Sequence, residues 1–257
     1  MPRTVQATLM EKRLLRSDCA EFWLEAAPDV LGECAPGRFL HVDCGPEFTL
    51  RRPIGIGGTR DGALRIVFAV RGTGTARLVG TPVGGAVDFL GPLGKGFDLR
   101  EPRKRLLIGG GTGTPPILYA AEALHRNGQP FDALLAFGSA GQAILVDEMA
   151  ALCGQFTVST DDGSLGVHAR ADHAAVSLLD KVGYDEVLVC GPTPMMKSVA
   201  ALAKARGIGC QASLEERMAC GIGACLVCAC RLADSSAAHV CKDGPVFEAG
   251  RVAWEGW

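Results

Sequence analysis

The chain has 257 residues, a formal net charge of -2 and 21% charged residues, enough for one large or two ordinary domains plus a small module, with no bulk attraction for nucleic acid or an anionic membrane. The opening MPRTVQATLMEKRLLR mixes charges with apolar residues, unlike a signal peptide, and nowhere do about 18 apolar residues run together as a membrane span needs. A cytoplasmic protein is expected, with neither nucleic acid nor membrane as partner, and in that reducing compartment eleven cysteines, clustered near the C-terminus, point to metal before disulfides.

Short β-rich runs come first, separated by turns containing Gly and Pro: Thr4–Met10, Glu21–Ala26, Arg38–Cys44, Leu64–Val70 and Ala86–Leu90. No long helical period interrupts them, so residues 1–101 are expected to form a small antiparallel β-barrel. Arg51-Arg52-Pro53-Ile54-Gly55-Ile56 lies between two of these runs. Adjacent arginines usually belong to a solvated face, whereas a flavin pyrophosphate would give Arg52 an anion to bind. Gly72-Thr73-Gly74-Thr75-Ala76-Arg77 reads as a helix start with its amides on the same phosphates. Gly91-Pro92-Leu93-Gly94 reads as a turn at the end of the barrel.

Near Pro102 the rhythm changes to strand, glycine turn and helix. Arg105–Gly111 is followed by a helix over Pro115–Arg126, a strand over Asp132–Phe137, a strand over Phe156–Thr160, a helix over Ala171–Lys181, the strand EVLVC from Glu186 and a helix over Pro194–Arg206. Four apolar strands alternating with helices predict a parallel α/β sheet for residues 102–208. The turn Gly109 to Thr114 suits a pyrophosphate, because glycines let backbone approach it and helix N-terminal amides face its charge. A plain strand-to-helix connection reads the same way, and the spacing is not G-x-G-x-x-G. Cys190-Gly191-Pro192 ends a second strand where parallel sheets bind ligands, although an ordinary helix start capped by Thr193 fits as well. Gly110, Gly111, Thr112, Gly113, Cys190, Gly191 and Pro192 together make a candidate dinucleotide crevice. From Asn127 to Ala169 there is no Lys or Arg, which favours NADH over a 2′-phosphorylated dinucleotide.

The cysteines of residues 209–257 fall as Cys220-x4-Cys225-x2-Cys228-x12-Cys241. This is the ligand order of a plant-type [2Fe-2S] cluster, with three thiolates on one tight loop and a fourth from a segment that folds back. A tetrahedral zinc knot is the alternative, though zinc sites favour paired short knuckles. Gly221 and Gly223 let the backbone wrap the cluster and aim N–H groups at sulfur. Cys230 is an extra thiol read as packing, and Cys19, Cys34, Cys44, Cys153, Cys190 and Cys210 are scattered as small core residues. The segment is too short to fold without a staple.

In this order the three constellations resemble the ferredoxin-reductase superfamily. The resemblance narrows at Arg52-Pro53-Ile54, Gly72-x-Gly74-Thr75, Gly109 to Thr114, Thr160-Asp161-Asp162-Gly163-Ser164, Cys190-Gly191-Pro192, Glu215 to Gly221 and Val240-Cys241-Lys242-Asp243-Gly244-Pro245-Val246-Phe247. These are similar to the electron transfer subunits of NAD-dependent dihydroorotate dehydrogenase B. The resemblance implies an oxidoreductase subunit of pyrimidine biosynthesis that relays electrons between NAD(H), FAD and a [2Fe-2S] cluster. Its partner would be a separate FMN-containing catalytic subunit interconverting dihydroorotate and orotate, in a heterotetramer of two plus two. It implies that Arg52, Pro53, Ile54, Gly55, Val67, Phe68, Ala69, Gly74 and Thr75 meet FAD, and that Cys220, Cys225, Cys228 and Cys241 hold the cluster. Two departures stand out: Gly55 replaces the family's Ser, and Phe68-Ala69 replaces its Tyr-Arg pair, with ring stacking on the flavin left to Phe68. Other readings are an NAD(P)H:acceptor reductase, a sulfide dehydrogenase or ferredoxin:NADP reductase subunit with a different partner, and a zinc-stapled interaction module on a non-catalytic body.

Overall fold

Thr4–Arg16 (β1) turns back on Cys19–Glu25 (β2) in a computed structural model that describes residues 3–256. A short helix Pro28–Leu31 (α1), strands Phe39–Val42 (β3), Arg52–Arg60 (β4) and Ala63–Ala69 (β5), a helix Thr73–Val79 (α2) and the strand Ala86–Leu93 (β6) follow. The six strands close an antiparallel barrel in the order β1-β2-β5-β4-β3-β6. Alternation along each strand sends one set of side chains inward, as the two-residue period of a strand requires. Phe22, Leu24, Leu40, Ile54, Ile56, Leu64, Ile66 and Phe89 fill that core. Every expected β run appears. The sequence reading passed over β4 as a strand, because Arg52–Arg60 carries one proline and three glycines (RPIGIGGTR) and so reads as turn. Gly91–Leu93, expected as a turn, are the last residues of β6, with Leu93 opposite Phe39.

The second layer begins with Arg105–Gly110 (β7), the helix Thr114–Arg126 (α3), Phe131–Phe137 (β8), the helix Val146–Ala150 (α4), Phe156–Thr160 (β9) and Val167–His168 (β10). It continues through Ala171–Lys181 (α5), Glu186–Cys190 (β11), Thr193–Ala205 (α6) and Gly209–Ser213 (β12). After the cysteine loop come Ala229–Arg231 (β13), Ala237–His239 (β14), the helix Val240–Asp243 (α7) and Val246–Glu248 (β15). The sheet order is β10-β9-β8-β7-β11-β12-β15. All its pairs are parallel except β12 with β15. Every residue of β7 is buried, as expected of a central parallel strand covered on both faces. Pro115 and Pro116 sit in the first turn of α3, where a missing N–H breaks no helical bond. The sheet has seven strands where four were expected, since β10 is two residues long and β12 and β15 lie in the segment read as the cluster module.

The barrel meets the sheet layer through β4 and α3. A Cβ at Gly55 would fall 3.1 Å from Pro116, and one at Gly57 would fall 3.2 Å from Pro115, so these glycines set the close approach. Beside them Arg65 is buried among Glu21, Glu122 and Glu148. Among the described residues no helix is long and apolar enough to cross a membrane.

Candidate functional site

The four motif cysteines gather as two pairs. Cys225 neighbours Cys220 and favours its thiolate, and Cys228 neighbours Cys241 and opposes its ionisation. The loop between them turns through left-handed backbone at Gly221 (φ 71), Gly223 (φ 83) and Leu226 (φ 63), which curls it around its own sulfurs. Amide N–H groups then point at sulfur: Ala224 donates to Cys220 Sγ at 3.2 Å, Ile222 to the same atom at 3.5 Å, Gly223 to Cys241 Sγ at 3.1 Å and Cys241 to Cys228 Sγ at 3.5 Å. Burial opposes ionisation of Cys220, yet the amides of Ile222 and Ala224 and the neighbouring Cys225 bring its thiol down to about 6. Burial, with Cys228 alongside, pushes Cys241 up to about 12. The donor set fits a two-metal cluster, which takes thiolates in pairs and is tuned by N–H groups on its sulfurs. Among the described residues no group of three or more His, Cys, Asp or Glu side chains is placed to hold a metal ion. Cys230 lies on β13, buried in the apolar core.

A cleft of about 420 Å³ opens at the carboxyl ends of β7, β8 and β11, facing the end of β5. Gly110, Gly111, Thr112, Pro192, Met195 and Ala69 all line it. Its two loops interlock backbone to backbone. A Cβ at Gly113 would fall 2.3 Å from the Cys190 carbonyl oxygen, and one at Gly191 would fall 3.1 Å from Gly110. Glycine is therefore required at these positions to bring the loops together. Gly111, at φ 52, has open space where a Cβ would be and forms the rim. The cleft fits an extended dinucleotide.

Residues 215–253 match the iron-sulfur cluster binding domain of dihydroorotate dehydrogenase B. The chain is 36% identical over 220 residues to the dihydroorotate dehydrogenase B (NAD(+)) electron transfer subunit of Caldanaerobacter subterraneus subsp. tengcongensis, covering 84% of this chain and 86% of that one. It is 39% identical over 227 residues to the subunit of the same name from Bacillus velezensis, covering 85% and 87%. The chain belongs to this family of electron transfer subunits. A solved NADH-dependent reduced ferredoxin-NADP oxidoreductase superposes with a TM-score of 0.87 at 28% identity, over 100% of this chain and 92% of that one. The ferredoxin reductase of carbazole 1,9a-dioxygenase, at 18% identity and a TM-score of 0.68 over 80% and 67% of the two chains, shares the fold.

In this family member the residues expected to meet FAD divide between the outer face of the barrel and its core. The Arg52 guanidinium lies across Gly74, where a Cβ would fall 2.8 Å from its Nη2. Thr75 Oγ1 accepts from the Arg71 and Gly72 amides at 3.0 and 3.3 Å, fixing the entry to α2. This cradle, kept clear by glycine, suits a pyrophosphate against Arg52. Pro53 and Gly55 face outward, while Ile54 is in the barrel core. Val67 and Ala69 also turn outward, Val67 into the core shared with α3 and Ala69 into the cleft. Phe68 departs from expectation: its ring lies in the barrel core, edge-to-face with Phe22 at 5.1 Å. Strand alternation turns it away from the outer face, so ring stacking on a flavin is withdrawn and only its backbone is available there.

The sequence reading missed three cations of the cleft. Arg16, Arg71 and Arg170 line it from β1, the β5–α2 turn and the start of α5. The stretch without Lys or Arg is real, but it does not enclose the whole cleft. Two of the three are engaged: Arg16 with Asp18 at 2.6 Å and with the Gln142 carbonyl at 2.9 Å, Arg170 with Asp172 at 3.7 Å. Asp161, quoted within an acidic motif, also lines the cleft. His41 was missed too. Burial and the charges of Arg51 and Arg52 hold its imidazole below the ordinary histidine value. The period-two pattern of RFLHVDC, which sets His41 apart from Leu40 and Val42, was the available signal.

Proposed function

We propose that this chain carries electrons between NAD(H) and the FMN of a separate dihydroorotate dehydrogenase catalytic subunit, through FAD and a [2Fe-2S] cluster, in the cytoplasm and in an assembly of two such subunits with two catalytic ones. The observation that carries this reading is the pairing of Cys220 with Cys225 and of Cys228 with Cys241 under converging amides, on a body whose cleft and Arg52–Gly74 cradle suit NAD(H) and FAD. The bound groups would supply the conversion of a two-electron hydride into single electrons. The chain's part is placement. Gly110, Gly111, Thr112, Gly113 and the Cys190-Gly191-Pro192 turn bind and orient the dinucleotide. Arg52, Gly74 and Thr75 hold the flavin pyrophosphate, and Pro53, Gly55 and Ala69 border its ring, with Ile54, Val67 and Phe68 contributing backbone. The amides of Ile222, Gly223 and Ala224 stabilise negative charge on the cluster thiolates.

The test is a spectrum followed by a coupled assay. Purified protein is expected to show flavin bands over broad iron-sulfur absorbance, and with the FMN-containing catalytic subunit to reduce orotate at the expense of NADH. Cys225→Ser should leave NADH reduction of FAD intact and stop transfer to FMN. A colourless, zinc-containing preparation, or transfer to FMN that survives loss of the cluster, would sink this reading. The similarity to an NADH-dependent reduced ferredoxin-NADP oxidoreductase over 100% of the chain favours a second reading, an NAD(P)H:acceptor subunit with another partner. Failure to pair with the catalytic subunit, alongside NADH-dependent reduction of a ferredoxin, would select it.

A further inference from the structure

His41 is 1% exposed, and neither of its ring nitrogens has a hydrogen-bond partner among the described residues. The Arg51 carbonyl favours the protonated ring but stands outside hydrogen-bond geometry. A buried donor and a buried acceptor left unpaired are both destabilising, so such a side chain in a folded core has a partner from elsewhere. Its place identifies that partner. Alternation on β3 directs Leu40 and Val42 into the barrel core and sends Phe39 to the opposite face, into the apolar cluster that contains Cys228 and Cys241. His41 shares that face. It stands opposite Pro53 of the flavin strand. A Cβ at Gly221, the neighbour of Cys220, would fall 2.9 Å from its Nδ1. One imidazole thus lies beside the strand assigned to FAD and flush against the loop assigned to the cluster.

We propose that His41 is a positioning residue of the electron path: its ring N–H donates to the sulfur edge of the bound cluster, holding the cluster loop against the flavin strand and favouring the reduced cluster. The inference rests on the cluster assignment above. Reduction adds negative charge to the cluster, and a fixed N–H in dry surroundings stabilises that charge more than the oxidised state. A neutral ring has one N–H to give.

The full chain, isolated with its cofactors, is labelled with ¹⁵N in the histidine rings only. It is then reduced with dithionite, and its cluster signal is examined by pulsed paramagnetic resonance. The expected result is a weak imidazole ¹⁵N coupling that disappears in His41→Phe, with the cluster midpoint potential shifted downward in that variant and partly restored in His41→Gln, which regains an N–H. His239 serves as the control, since it lies two residues from Cys241 with its Nδ1 3.4 Å from Asp243. A wild-type cluster signal without imidazole coupling, as when the ring is paired with water or flavin, overturns the proposal. So does a coupling that persists in His41→Phe. The labelled wild type decides the point even where the variants fail to fold. A wild-type protein without any cluster signal overturns the cluster assignment itself, and this inference with it.

Discussion

Where the barrel meets α3 and α4 the contact is ionic, and where it meets the cluster segment the contact is apolar and close. At the first junction Arg65 reaches Glu122 and Glu148 at 2.7 Å each and Glu21 at 3.5 Å, and Arg13 reaches Glu21 and Glu148 at 2.9 Å each. At the second, Phe39 and Leu93 join the cluster of Cys228, Cys241 and Phe247. There the Lys95 amide donates to the Gly244 carbonyl, and Gly94 leaves no room for a Cβ beside Pro245. Ion pairs tolerate water and respond to charge, whereas close-packed apolar contacts fix distance. The charged junction shares β1 with Arg16 of the cleft, which the proposed dinucleotide would enter and leave. The dry junction lies between the strand proposed for FAD and the loop proposed for the cluster, where a single-electron step would demand a constant short separation.

The largest effect is expected from breaking the dry junction at its metal. Cys241→Ser should abolish cluster absorbance and transfer to the partner, and open residues 215–253 to protease while the barrel and central strands survive, because a metal-stapled segment loses its folding energy with its metal. Undiminished iron content in that variant would refute the ligand set. Next comes the charged junction. Arg65→Met leaves Glu122 without its cation and Glu21 and Glu148 with Arg13 alone, and should cost about 3 kcal/mol in denaturant unfolding; a loss below about 1 kcal/mol would mean that the network holds nothing together. Gly55→Ser should cost about 1–2 kcal/mol by crowding Pro116. Pro116→Ala should recover part of that in a double-mutant cycle, and strict additivity would show that the two do not meet.

The smallest effect separates the junctions by pH. Burial works against ionisation of Glu148, but hydrogen bonds from Arg13 and Arg65 outweigh it and hold the carboxyl below the ordinary value of 4.5. Its stabilisation is therefore complete above about pH 4.5 and is lost as pH falls through the lower folded value. Glu122 has the opposite sign: burial pushes it up despite Arg65, so its contribution is present in acid and fades as pH rises through its folded value. Wild type should exceed Glu148→Gln in Tm at neutral pH by the equivalent of about 1 kcal/mol or less, and the gap should close in acid. A gap independent of pH would show that the pair with Glu148 is not ionic.

Local chemistry was legible in the sequence, and long-range placement was not. The cysteine spacing pointed to the segment that matches an iron-sulfur cluster binding domain, because three of the motif cysteines lie on one loop, and the glycine turns after β7 and β11 pointed to the cleft because strand ends and helix starts are local. Arg16, Arg71 and Arg170 escaped notice because they reach the cleft from three distant segments. Phe68 was assigned to the flavin from its place in a motif, while the alternation that also buries Leu64 and Ile66 turns it inward. β4 was hidden because its glycines are needed for contact with α3, and such contacts leave no mark in a strand pattern. β15 was missed because three residues have no period, and its partner β12 precedes it by more than thirty residues.

That late pairing bears on the order of synthesis. β15 covers the edge of β12, and it follows all four motif cysteines in the chain. During translation the open backbone of β12 is therefore exposed until every thiolate has been made. Metal insertion and edge closure then fall in the same interval, and a chain starved of iron would be caught with both its ligand loop and its sheet edge unfinished, the state most prone to join another chain.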